Sequence, residues 1–174
     1  FTTEDYLEIL TYAKHRNVEV IPEIDMPAHS RAAVMSMEAR YARLAAEGKM
    51  EEANQYRLMD PKDESNVTTV QFYNKQSFIN PCLDSSATFV DKVITEVAAM
   101  HKAAGVPLST WHFGGDEAKN IKLHAGFQDI NDEEKITWKG DLDLSKQDFP
   151  FEKSPQCQSL IASGEVADFE HLPS

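Results

Sequence analysis

Basic side chains are scarce here: 17 Lys and Arg face 29 Asp and Glu in 174 residues, a formal charge of −12. Nucleic acid is therefore a poor partner, because binding phosphates needs a basic face. No run of about 18 apolar residues occurs, so no segment reads as a membrane-spanning helix. There is no glycine-rich phosphate loop and no G-x-S-x-G elbow, which removes nucleotide cradling and that form of serine hydrolysis. Cysteine is limited to Cys82 and Cys157, without a C-x-x-C or H-x-x-x-H beside them, so a closed zinc site is excluded. Two buried free thiols or one disulfide remain open, the second requiring an oxidising compartment.

What is present suffices for a packed core: 41% hydrophobic and 26% charged residues, with the acidity spread along the chain rather than gathered in a tail. The chain opens on Phe1-Thr2-Thr3-Glu4-Asp5, a helix start already in progress, and Phe169 to Ser174 offers no stop, so a piece of a longer protein is expected.

Thr3 can cap a first helix from Glu4 to about Arg16, with Tyr6, Leu7, Leu10 and Ala13 at helical spacing and Asn17 as its stop. Val18 to Asp25 reads as a strand, with Pro22 removing one ladder donor. Met26-Pro27-Ala28-His29 is a turn, and Ser30 caps a helix toward Gly48. A mostly polar helix is expected from Met50 to Leu58, an extended arm near 67–73, and a glycosylation sequon at Asn66-Val67-Thr68. The clearest helix spans Ser86 to Ala104, closed by Gly105 and Pro107. Leu108 to Phe113 is then a short buried strand running into Gly114-Gly115-Asp116-Glu117. Helix, strand, long loop, helix, strand is the grammar of a parallel α/β sheet. Residues 118–155 lose any period, yet Trp138, Phe149 and Phe151 mark an ordered insertion, with a last helix from Ser154-Pro155 to before Gly164.

Two polar clusters sit at the two strand ends: Glu23-x-Asp25-Met-Pro-Ala-His29 and His112-Phe-Gly-Gly-Asp116-Glu117. Ligands gather at the carboxyl ends of parallel strands, so both clusters are expected to face one site. A regular strand would send Asp116 and Glu117 to opposite faces; Gly114-Gly115 lets the backbone leave that geometry. Paired carboxyls divide into an acid and an anion, the pair that glycosidic cleavage uses. The bland alternative is that they cap the next helix. His101 reads as a satisfied core histidine, while His15, His124 and His171 lie in polar stretches. A metal reading would gather Asp25, His29, His112, Asp116 and Glu117, but that spacing matches no closed-site signature, and no metal or other cofactor is expected.

His112-Phe113-Gly114-Gly115-Asp116-Glu117 resembles the strand-end signature of glycoside hydrolase family 20, the β-N-acetylhexosaminidases. Val20-Ile21-Pro22-Glu23-Ile24-Asp25-Met26-Pro27-Ala28-His29-Ser30 resembles the family's preceding strand and turn, with Ala28 where the family usually has Gly. The segment between His29 and the Asp84 helix start is most similar to the bacterial periplasmic chitobiases. The resemblance implies α/β architecture: part of a (β/α)8 TIM barrel holding about two βα units and long loop insertions. Residues 1–117 would be the βα core and 118–174 a loop insertion with the start of the next helix, the whole chain being a partial catalytic domain inactive alone.

It also implies a retaining, substrate-assisted reaction on β-linked N-acetylglucosamine oligosaccharides such as chitobiose. Glu117 would be the general acid and then the base; Asp116 would orient the acetamido group; His29 would reach toward Glu117; Asp25 would brace the turn, with His112 nearby. A periplasmic or secreted setting would favour a Cys82–Cys157 disulfide. Rival readings are a carbohydrate-binding barrel with degraded catalysis and a metal-dependent hydrolase.

Overall fold

The computed structural model describes residues 2–65, 76–116, 148–169 and 172. Among these residues five helices follow in order: α1 (Thr3–Lys14), α2 (Arg31–Ala46), α3 (Met50–Asn54), α4 (Asp84–Ala103) and α5 (Pro155–Ser163). The expected arm near 67–73, the sequon at Asn66, Trp138, His124 and His171 lie outside the described residues.

α1 starts one residue earlier than Thr3 capping would allow, because Asp5 selects Thr2. The Asp5 amide donates to Thr2 Oγ1 at 3.1 Å and the Thr2 amide donates to Asp5 Oδ2 at 2.7 Å, a reciprocal capping box. Asn17 ends the helix in the left-handed region at φ 54°. α1 packs on α4 through Tyr6, whose hydroxyl is 2.9 Å from His101 Nε2. The other ring nitrogen of His101 is 3.2 Å from the Val106 carbonyl, so this buried histidine has both nitrogens occupied.

Arg57, just after α3, clamps its segment onto α2. Its guanidinium forms a two-pronged pair with Glu38, both contacts 2.9 Å, and lies 3.8 Å over the Tyr41 ring. Ser30 stands at the N-cap of α2 but does not cap it: its hydroxyl donates to the carbonyls of Asp25 and Ala28, both at 3.0 Å, and so closes the preceding turn instead.

The two expected strands are present only in part. Residues around Glu23 and His112 pair in parallel through a single bridge, with Ile24 N–H donating to His112 O at 3.1 Å and His112 N–H to Pro22 O at 3.0 Å. In that register the next donor toward the N-terminus would be the nitrogen of Pro22, which carries no hydrogen, so the ladder stops. At the other end Met26 N–H reaches Phe113 O at 3.0 Å, one residue short of regular pairing, just before two glycines with positive φ. Each segment also has one strand neighbour among the described residues, and a lone parallel pair is marginal.

Two apolar clusters flank this pair. Val34, Leu58 and Ile79 form one, beside Met37 and Phe89. Ala28, Phe78, Phe151, Cys157 and Leu172 form the other. Between the loops runs a buried polar chain: Asn80 Nδ2 donates to Ser154 Oγ at 3.1 Å, and Ser154 Oγ donates to Asp60 Oδ2 at 2.7 Å. All three side chains are at most 5% exposed, and each bond offsets the cost of burying its partner. Nearby, the sulfurs of Cys82 and Cys157 stand at bonding distance, 2.06 Å, with their Cα atoms 5.1 Å apart.

Candidate active site

Parallel pairing of Glu23 with His112 sets the two strand ends side by side, so both polar clusters emerge at one edge. Asp25 is the join between them. Its Oδ1 accepts from the Gly115 amide at 3.0 Å and from the Asp116 amide at 3.3 Å. Its Oδ2 lies 4.0 Å from His29 Nε2. One carboxylate thus faces backbone donors of the second turn and the imidazole of the first.

The glycines make that approach possible. Gly114 has φ 73° and Gly115 has φ 85°, which turns the chain out of the strand pleat. A β-carbon on Gly114 would stand 2.8 Å from the Asp25 Cα and collide with its carboxylate. Asp116 follows directly and is exposed, while Glu117 lies outside the described residues.

His112 adds a second pairing across the bridge. Its Nδ1 is 2.8 Å from Glu23 Oε2, and the Gly114 amide donates to the same nitrogen at 3.2 Å. One nitrogen cannot serve both at once: accepting from Gly114 needs its lone pair, whereas donating to Glu23 needs a proton. The ring is also stacked near Phe113, with centroids 6.4 Å apart.

A cavity of about 360 Å³ lies between the strand pair and the helices, lined by Asp25, His29, Ala33, Phe89, Val93 and Trp111 among others. The indole N–H of Trp111 is buried without a hydrogen-bond partner among the described residues. Also among them, no group of three or more His, Cys, Asp or Glu side chains is arranged to hold a metal ion.

Of the residues singled out by sequence, the structure brings Asp25, His29 and the backbone of Asp116 together, with His112 on the neighbouring register position. The role of Glu23 as the partner of His112, and the support of Ala28 by Phe78 and Phe151, carried no motif. Phe151, among the aromatics of the polar insertion, was a hint of the latter; Phe78 lies outside that insertion.

Comparison with known proteins agrees along the whole chain. The profile described as glycosyl hydrolase family 20, catalytic domain, matches residues 1–174. An N,N'-diacetylchitobiase of Vibrio harveyi is 75% identical over 174 residues, all of this chain and 20% of that protein. A β-hexosaminidase B of Pseudoalteromonas piscicida is 50% identical over 125 residues, 72% of this chain and 16% of that one. Among solved structures, a family 20 exo-β-N-acetylglucosaminidase of Vibrio harveyi in complex with N-acetylglucosamine superposes with a TM-score of 0.62 at 27% identity, covering 99% of this chain and 19% of that one. The chain spans about a fifth of the length of the curated relatives it matches. It belongs to glycosyl hydrolase family 20, within the catalytic domain.

Proposed function

We propose that the protein carrying this chain removes terminal, non-reducing β-linked N-acetylglucosamine from chitobiose and short chitin oligosaccharides. The observation that carries this reading is 75% identity, without truncation of this chain, to an N,N'-diacetylchitobiase. The geometry suits it: two parallel strand ends lie side by side, and Asp25 is tied to the turn that presents Asp116. The whole protein would complete a (β/α)8 barrel around these strands, with the site at their carboxyl ends.

In the first step the substrate's acetamido oxygen attacks the anomeric carbon as the glycosidic C–O bond breaks. Glu117 gives its proton to the departing oxygen, leaving an oxazolinium ion on the sugar. Asp116 orients the acetamido group and balances the positive charge at its nitrogen. Water then attacks the same carbon, giving its proton to the Glu117 carboxylate, and the oxazolinium ring opens. Two displacements at one carbon retain its configuration. Asp25 holds the Gly115–Asp116 backbone, and His29 reaches toward Glu117. No cofactor is called for. The compartment is periplasmic, or alternatively extracellular, where the Cys82–Cys157 bond is stable.

The test is Glu117→Gln in the full-length protein, assayed on a chromogenic N-acetylglucosaminide. Turnover should fall by about a hundredfold or more while sugar binding persists. Undiminished turnover would remove Glu117 as the acid. Asp116→Asn should harm substrates with a 2-acetamido group most; an equal loss on substrates lacking that group would sink the assisted mechanism.

A further inference from the structure

The turn that carries His29 is held from below by residues far along the chain. His29 has φ 55°, a left-handed conformation that a residue with a side chain keeps only when its surroundings impose it. Both flanks are tied to one strip of backbone: Ser30 N–H donates to Ser77 O at 3.0 Å, and Ile79 N–H donates to Pro27 O at 2.9 Å. Between these ties Ala28, 1% exposed, is buried with Phe78 and Phe151. The two rings meet edge to face, centroids 6.3 Å apart at 70°. Phe151 is itself 1% exposed and is followed by Ser154, which hydrogen-bonds to Asn80 and Asp60, and by Cys157, bonded to Cys82. The rings are thus fixed from behind before they touch Ala28.

We propose that Phe78 and Phe151 are positioning residues for His29: by filling the space beneath Ala28 they fix the direction of its imidazole. The inference rests on the glycosidase reading above, in which that imidazole faces Glu117. Deleting the Phe151 ring leaves a void, and the turn is free to relax toward ordinary φ. A shift of about 1 Å at a catalytic group is enough to slow turnover severely.

The test compares kcat, KM and the pH–rate profile of the full-length protein with those of Phe151→Ala, Phe151→Leu, His29→Ala and the His29→Ala/Phe151→Ala double variant. Phe151→Ala should lower kcat about tenfold with KM within about twofold, and move the same limb of the pH profile as His29→Ala. Phe151→Leu should recover most of the loss, and in the His29→Ala background Phe151→Ala should cost less than about twofold more. An equal loss with or without His29, or a pH profile left unmoved, would overturn the proposal. Should Phe151→Ala fail to fold, Phe78→Ala carries the same comparison with the same two outcomes. Wild-type turnover and pH profile in His29→Ala would instead overturn the glycosidase assignment of His29, so the two failures are distinguishable.

Discussion

Asp25 and Gly114 stand so close that the Asp25 Cα would lie 2.8 Å from a β-carbon on the glycine. The contact lets the Asp25 carboxylate reach the amides of Gly115 and Asp116, and it is bought with the absence of a side chain.

Gly114→Ala should therefore be damaging twice over. The left-handed φ of 73° costs an L-residue about 1–2 kcal/mol, and the methyl group also collides with backbone that cannot swing aside. Thermal denaturation of the full-length protein should show a loss above that figure, and turnover should fall with it. Gly48→Ala is the matching control: its φ is 77°, but nothing lies within 4 Å of the added carbon. Equal losses at the two sites would mean that the approach of Asp25 is unimportant.

Cys82 and Cys157 close a loop of 75 positions. Loop-closure entropy for that length gives an upper stabilisation of about 4 kcal/mol. Cys82→Ser with Cys157→Ser should lower the melting temperature of the full-length protein, and reductant should lower the wild type alone. Thiol titration of native protein should find neither sulfur reactive until reductant is added. Two free thiols before reduction would refute the bond.

Tyr6 carries a pH dependence whose sign is fixed by its surroundings. Burial raises its phenol above the ordinary value, since the charged phenolate is poorly solvated against α4. A group whose folded pKa is raised contributes stability that is present below the unfolded pKa and is lost as pH climbs through the folded one. Tyr6→Phe should cost about 1 kcal/mol at pH 7, where the bond to His101 is made. The gap between wild type and variant should close as pH rises beyond the ordinary tyrosine value of 10.0. A gap that stays constant to strongly alkaline pH would show that the phenol does not ionise more readily on unfolding.

What the sequence announced was local. Gly105, Pro155 and Gly164 punctuated α4 and α5 because each acts on backbone within a residue or two. The first helix slipped by one residue because Thr2 and Thr3 are equal candidates until Asp5 chooses between them. Pro22 correctly warned of a missing donor, although not that the pairing would shrink to one bridge. In the site, the two strand-end clusters were legible, with the glycines inside the second, and so was the side-by-side placing of the two strand ends. The partnership of Glu23 with His112 was not, since it depends on register, which no single segment encodes. Nor was the chain from Asp60 through Ser154 to Asn80, whose members carry no period and meet only through the tertiary fold.

That buried chain also sets an order of assembly. Asn80 Oδ1 and Asp60 Oδ1 accept from the nearby amides of Cys82 and Lys62, but Asn80 Nδ2 and Asp60 Oδ2 wait for Ser154, 74 and 94 positions downstream. During synthesis the stretch around residues 58–65 emerges long before its partner, and contacts so distant along the chain are slow to form. The link that ties the loops around Asp60 and Asn80 together closes only once Ser154 has been made.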